Sequence, residues 1–231
     1  MAQRPVRRFV AGRFVAGLFV SATVIAACGS AGVTPAPSGP PALPPGTYTS
    51  NAFSPALTFT VPAGWEKAAD TSTYLEIRPA GSELAGIHLF RDPAAASQDL
   101  QCPQTAEPGV GGTSSELAAW IRGRPGLVVG DPKLASVGGL RGVEIDVGII
   151  EGWTASCPFA DGAPTAPLFV GVKGEYRWVV AGSERLRLDL LDMPGGGTLV
   201  VDIDAFDGTL MDDLLSVATP IVRTFAFAGG G

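Results

Sequence analysis

One histidine, His88, and three cysteines, Cys28, Cys102 and Cys157, are all that the sequence holds of the two residue types most used for metal binding and nucleophilic catalysis. Metal centres built from several histidines are excluded, and any histidine-dependent triad would have to form around His88 alone. No G-x-S-x-G frames a serine, and glycine runs such as Gly109-Val110-Gly111-Gly112 lack a following Gly-Lys-Ser/Thr. Neither a nucleophile elbow nor a phosphate loop is supported. Charge is scarce too, at 16% of residues against 46% hydrophobic, which excludes a chain disordered throughout. Positive charge is scarcest beyond residue 27. Four of the 16 basic residues (Arg4, Arg7, Arg8, Arg13) lie before that point with no acid, leaving 12 basic against 22 acidic, a formal charge of −10. That balance disfavours nucleic acid and anionic headgroups, both of which select positive patches. Long apolar runs are also missing: residues 14–27 fall short of the ~20 of an ordinary membrane span.

What the sequence does have begins with an address. The four arginines precede the apolar run of residues 14–27, which ends in small residues, the pattern of a signal peptide. Arg7-Arg8 invites a twin-arginine reading, but the surrounding pattern is incomplete and the export route stays open. Val24-Ile25-Ala26-Ala27-Cys28 resembles the bacterial lipobox, whose cysteine is diacylated and becomes the mature N-terminus. The resemblance implies lipidation of Cys28 and a membrane partner reached through that lipid, with two or more acyl chains giving stable anchoring. Residues 29–46 follow, with prolines at 35, 37, 40, 41, 44 and 45. They predict an extended polyproline-like spacer reaching up to about 50 Å.

The expected organisation is a signal peptide over 1–27, lipidated Cys28 and tether over 28–46, one extracytoplasmic domain over 47–228 and a disordered tail over 229–231. Within the domain, residues 56–61, 74–78 and 86–90 alternate and predict a three-stranded meander, with Trp65 at the edge of the core. Residues 92–112 show no period and predict a long surface loop. Thr113-Ser114-Ser115-Glu116 fits a capping box ahead of a short helix with Leu117, Trp120 and Ile121 on one face. Further strands are predicted at 127–129, 143–147, 168–172, 176–181 and 185–191, with Pro194-Gly195-Gly196-Gly197 turning the chain into 198–203. A second capping box, Thr209 with Asp212, opens a helix over 209–222 that Pro220 kinks or ends, and a short strand at 224–227 closes the chain. The fold class is α+β: a single antiparallel sheet of about six to nine strands carrying a short mid-chain helix and a C-terminal helix.

Thr58-Phe59-Thr60-Val61-Pro62-Ala63-Gly64-Trp65, the Val137–Gly142 hairpin and the closing helix running into Thr224-Phe225-Ala226-Phe227 are similar to bacterial lipoproteins of the LpqN and PsbP-like kind. The resemblance implies an antiparallel sheet with helices on its faces and a binding or accessory role. It transfers no site residue. Read from the residues themselves, Cys102 and Cys157 sit in irregular, proline-flanked stretches of an exported chain, and a disulfide between them is expected. His88 is expected half-exposed on a strand. Asp202 and Asp204 are expected on a solvent face with Asp207 in a turn, leaving open a weak cation role for the three. Trp153, Phe159, Tyr176 and Trp178 are the candidate ligand-facing aromatics, suited to core packing or to a concave site for an apolar or sugar-bearing ligand.

No catalytic residue, metal or cofactor is predicted, and no nucleic acid partner. The expected function is a membrane-anchored, non-enzymatic module that binds a small ligand or an envelope protein. The alternatives are a cell-surface hydrolase using carboxylates such as Asp146 and Glu151, and a purely structural envelope protein.

Overall fold

The computed structural model describes residues 40–171 and 173–229. The leader, Cys28 and the tether to residue 39 lie outside the described residues. In chain order the first elements are β1 (Gly46–Ser50), β2 (Leu57–Val61), β3 (Trp65–Asp70), β4 (Tyr74–Pro79), β5 (Ala85–Arg91) and β6 (Ala94–Ala95). Helix α1 (Ser114–Arg122) and strands β7 (Leu127–Val129), β8 (Lys133–Val137) and β9 (Leu140–Ile149) follow. The chain closes with β10 (Thr165–Val170), β11 (Arg177–Ala181), β12 (Arg185–Asp192), β13 (Thr198–Ala205), a 3-10 turn (Gly208–Leu210), α2 (Met211–Val222) and β14 (Ala226–Phe227).

The centre is an antiparallel sheet of eight strands in the order β3-β4-β5-β13-β12-β9-β7, with β8 also paired to β9. Its two faces carry different residues because strand side chains alternate. Ile87, Leu89, Leu199, Val201 and Ile203 face α2 and a small sheet of β1, β2 and β14. Phe90, Ile145, Val147, Leu188 and Val200 face α1 and a second small sheet of β6, β10 and β11. The α+β class holds. The central strand β13 is buried along its whole length because both its faces are covered.

Three local expectations hold in detail. Thr113 and Glu116 form the capping box of α1, and β12 turns into β13 with Asp192 opposite Thr198. The β8–β9 hairpin turns at Gly138, whose φ of 58° places it in the left-handed region and where a Cβ would lie 2.5 Å from the Phe227 ring.

Other expectations are corrected. The meander is β3-β4-β5, since β2 leaves the main sheet for β1 and β14. Likewise β10 and β11 do not continue the main sheet but form a separate layer with β6, which arises from the segment read as loop. Thr209 does not cap α2. Asp207 caps the preceding 3-10 turn through Thr209, and Leu210 stands at the N-cap of α2 without a side-chain bond. Pro220 lies inside α2, which continues to Val222. Upstream, Leu43 donates its N–H to the Trp65 carbonyl at 2.6 Å and packs on the core, so contact with the body reaches into the segment assigned to the tether.

Candidate functional site

The disulfide anchors one end of the candidate region. Cys102 and Cys157 are joined with their Cα atoms 5.6 Å apart, and Phe159, Ala160 and Val179 pack around them. Arg177 spans the junction: its guanidinium lies 4.4 Å from the Phe159 ring centroid and donates to the Cys102 carbonyl at 2.5 Å. Burial lowers the Arg177 pKa. Against the bridge lies a mainly apolar recess of about 170 Å³ whose walls include Leu100, Pro125, Trp153 and Pro167. Trp153 is fixed there by donating its indole N–H to the Thr165 carbonyl at 2.9 Å. It also lies over Gly126, where φ is 89° and a Cβ would come within 2.5 Å of the indole. The recess holds an apolar group of side-chain size and is smaller than the ~300 Å³ of the smallest ordinary ligand pockets.

Tyr176 and Trp178 lie elsewhere, on β11 and the residue before it, over the face of β4 and β5. The Trp178 ring centroid is 4.6 Å from that of His88 and 5.1 Å from that of Phe90, and Tyr176 is 5.1 Å from Phe90. The four candidate aromatics therefore form no single cluster: Trp153 lines the recess, Phe159 packs on the disulfide, and Tyr176 and Trp178 meet at His88 and Phe90. The Tyr176 hydroxyl is buried without a hydrogen-bond partner among the described residues, and burial, with Glu175 and Asp92 adding, raises its pKa.

His88 is not half-exposed. It is 1% exposed, with its Nε2 2.8 Å from an oxygen of Asp204, itself 0% exposed. Its Nδ1 is 2.8 Å from the Tyr74 hydroxyl, which also lies 3.0 Å from Glu76. Glu76 accepts from Arg78 at 3.1 Å, and Arg78 donates to Glu66 at 2.7 Å. Burial works against the Arg78 cation, but Glu66, Glu76 and Glu83 outweigh it and its pKa is raised. A polar chain thus crosses β3, β4, β5 and β13, in a setting where hydrogen bonds are strong and unmade ones expensive. Asp202 and Asp204 were expected on a solvent face; both are fully buried because the β6-β10-β11 layer covers that side. Sequence reasoning missed Tyr74, Glu76 and Asp204 as partners of the histidine. The signal was available in part, since pairing the strands at 74–78 and 86–90 sets Glu76 opposite His88.

The carboxylates named for a hydrolase are separated in role. Asp146 receives two bonds from Arg187, at 2.8 and 3.2 Å, and the hydrogen bond to Asp146 raises the Arg187 pKa. Glu151 is exposed in the turn after β9. Asp207 accepts from Thr209 at 2.8 Å through the hydroxyl, which lowers its pKa. With Asp202 and Asp204 buried and Asp207 in an exposed cap, the three do not converge, and no group of three acidic, histidine or cysteine side chains suited to a metal occurs among the described residues. A second recess, open and about 270 Å³, lies between Gly182–Arg185 and Gly208–Thr209.

No family model and no curated protein matches the chain. Among solved structures it is similar to a Bacteroides thetaiotaomicron VPI-5482 protein at 10% identity and a TM-score of 0.35, over 76% of this chain. The chain spans about half of that protein, 46% of its length. It is also similar to cyanobacterial PsbP (CyanoP) from Synechocystis sp. PCC 6803, at 10% identity and a TM-score of 0.39, over 87% of this chain and 98% of that one.

Proposed function

We propose that the protein is an exported lipoprotein, held to a membrane through Cys28, whose domain acts as a non-enzymatic binding or accessory module in the cell envelope. The observation that carries this reading is the position of His88. The one histidine of the chain is sealed between β4, β13 and Trp178 and bonded at both ring nitrogens, so it supports a packed interior more than a solvent-facing base. The disulfide is compatible with an oxidising compartment. The Trp153 recess suits a partner's apolar side chain or the end of a small ligand.

Two assays test the reading. Replacing Cys28 by Ala should move the protein from the membrane fraction to the soluble one. Screening the purified chain against ester, glycoside and peptide substrates should give no turnover. Turnover abolished by Asp146→Asn or Glu151→Gln would instead establish the hydrolase.

A further inference from the structure

The face of the main sheet that α2 shares is only partly covered. Around β8, β9 and β12 it is open and charged. Pairing sets Asp189 on β12 directly opposite Glu144 on β9, and Arg187 opposite Asp146. Lys133 on β8 pairs with Glu144 from the outer side. From β13 the residues opposite Asp189 and Arg187 are Val201 and Ile203, so that strand adds no charge.

Three carboxylates thus share two cations. Arg187 is committed to Asp146 at 2.8 Å and reaches Glu144 at 3.7 Å, while Lys133 reaches Glu144 at 3.6 Å. Asp189 receives neither. Its carboxylate makes no hydrogen bond or ion pair among the described residues, although the residue is only 8% exposed. A carboxylate buried to that degree is ordinarily paired or hydrogen-bonded. The nearest cation, Arg187, is held by Asp146 and Glu144, so Asp189 is left with acidic neighbours and the cluster is short of one donor-bearing positive charge.

We propose that Asp189, with Glu144 beside it, forms a binding site for a primary alkylammonium group, supplied by a free amine or by a lysine side chain of a partner. A compact ammonium suits the place better than a guanidinium: it brings three donors on a thin stem to a nearly closed carboxylate, whereas the planar fork of an arginine needs an open edge. Neighbouring acids also hold the Asp189 carboxyl up to about 6, after burial as the larger cause, so the site is charged and receptive at neutral pH and fills with a proton below it. Nothing in this site depends on Cys28, so it stands or falls apart from the lipoprotein reading.

The test is a chemical-shift titration of the purified full-length chain with n-butylamine and, separately, with the blocked peptide acetyl-Gly-Lys-Gly-amide. At about pH 7.5 both should bind saturably, and lowering the pH to about 5 should weaken binding about tenfold, as Asp189 takes up a proton. Asp189→Asn should abolish binding and Glu144→Gln should weaken it. Asp212→Asn, on the exposed first turn of α2, removes the same charge elsewhere and should leave binding unchanged. Tighter binding of the peptide than of butylamine identifies a protein lysine as the source; equal or weaker binding identifies a free amine. A linear, unsaturable response, or equal loss in the Asp189 and Asp212 variants, overturns the proposal, since either leaves only general attraction to an acidic chain. The Asp189 carboxylate has no ion-pair partner that its loss would strand, so Asp189→Asn does not threaten folding and its result is readable in either direction.

Discussion

Residues that alternation assigns to solvent are where this protein keeps its buried chemistry. Asp202, Asp204 and His88 sit on strands whose pattern reads as one wet face, and the pattern was right about the alternation while a second layer of chain removed the water. From the buried hydrogen bond between His88 and Asp204 we expect Asp204→Ala to destabilise the fold by about 1–3 kcal/mol, the usual loss when a buried polar group is left without its partner. Urea unfolding measures it; a loss below about 1 kcal/mol, the range of an exposed pair, would mean that the pair is wet in solution. Asp189 gives a pH prediction of opposite sign. Its folded pKa, about 6, lies above its ordinary value of 3.8, so the folded state binds the proton more tightly and gains stability as pH falls from above 6 to below 3.8. The size is about 3 kcal/mol at most. In the absence of amine, Asp189→Asn should therefore be more stable than the parent at about pH 7.5, and the difference should shrink toward about pH 4. Unfolding midpoints across that range decide it, and a difference constant with pH would contradict it.

At the scale of elements, local chemistry was legible wherever it acts within a few residues. The Thr113–Glu116 box and the glycine-rich β12–β13 turn are written in side chains that contact their own backbone. Thr113→Ala should cost about 1 kcal/mol, seen as a lower unfolding midpoint with unchanged slope. What was not legible is which strand joins which sheet. β2, β10 and β11 each read as ordinary strands, but membership is decided by contacts across long stretches of chain, such as Ala226 with Thr58 and Phe169 with Ala95. The 3-10 turn before α2 was hidden for a different reason: Asp207 and Thr209 are both good caps, and the competition between them is settled by geometry. The Trp153 recess was visible only as an aromatic residue, since its second wall comes from Leu100 and Pro125. Gly126→Ala should push Trp153 out of place, because the new Cβ meets the indole and φ is positive, and a changed tryptophan emission is the expected readout.

The molecule as a whole is a covered sheet with a covalent clasp over its least regular region. The bridge closes a separation of 55 residues, for which chain entropy gives about 4 kcal/mol at most. The double change Cys102→Ser with Cys157→Ser should lower stability by up to that amount. A protein of unchanged stability would mean that the covering layer is held by packing alone. The sheet, helices and clasp were foreseen in kind from the sequence; the three-layer arrangement was not, because it depends on which apolar faces meet. The tethered binding role proposed above rests on Cys28 together with a body whose one histidine is buried and bonded at both ring nitrogens. Native mass spectrometry of the protein extracted from its host membrane in mild detergent tests both parts at once. The account predicts a chain beginning at a lipidated Cys28, with a retained small molecule or protein companion released on activation. A chain that still carries residues 1–27 with an unmodified Cys28 would contradict it.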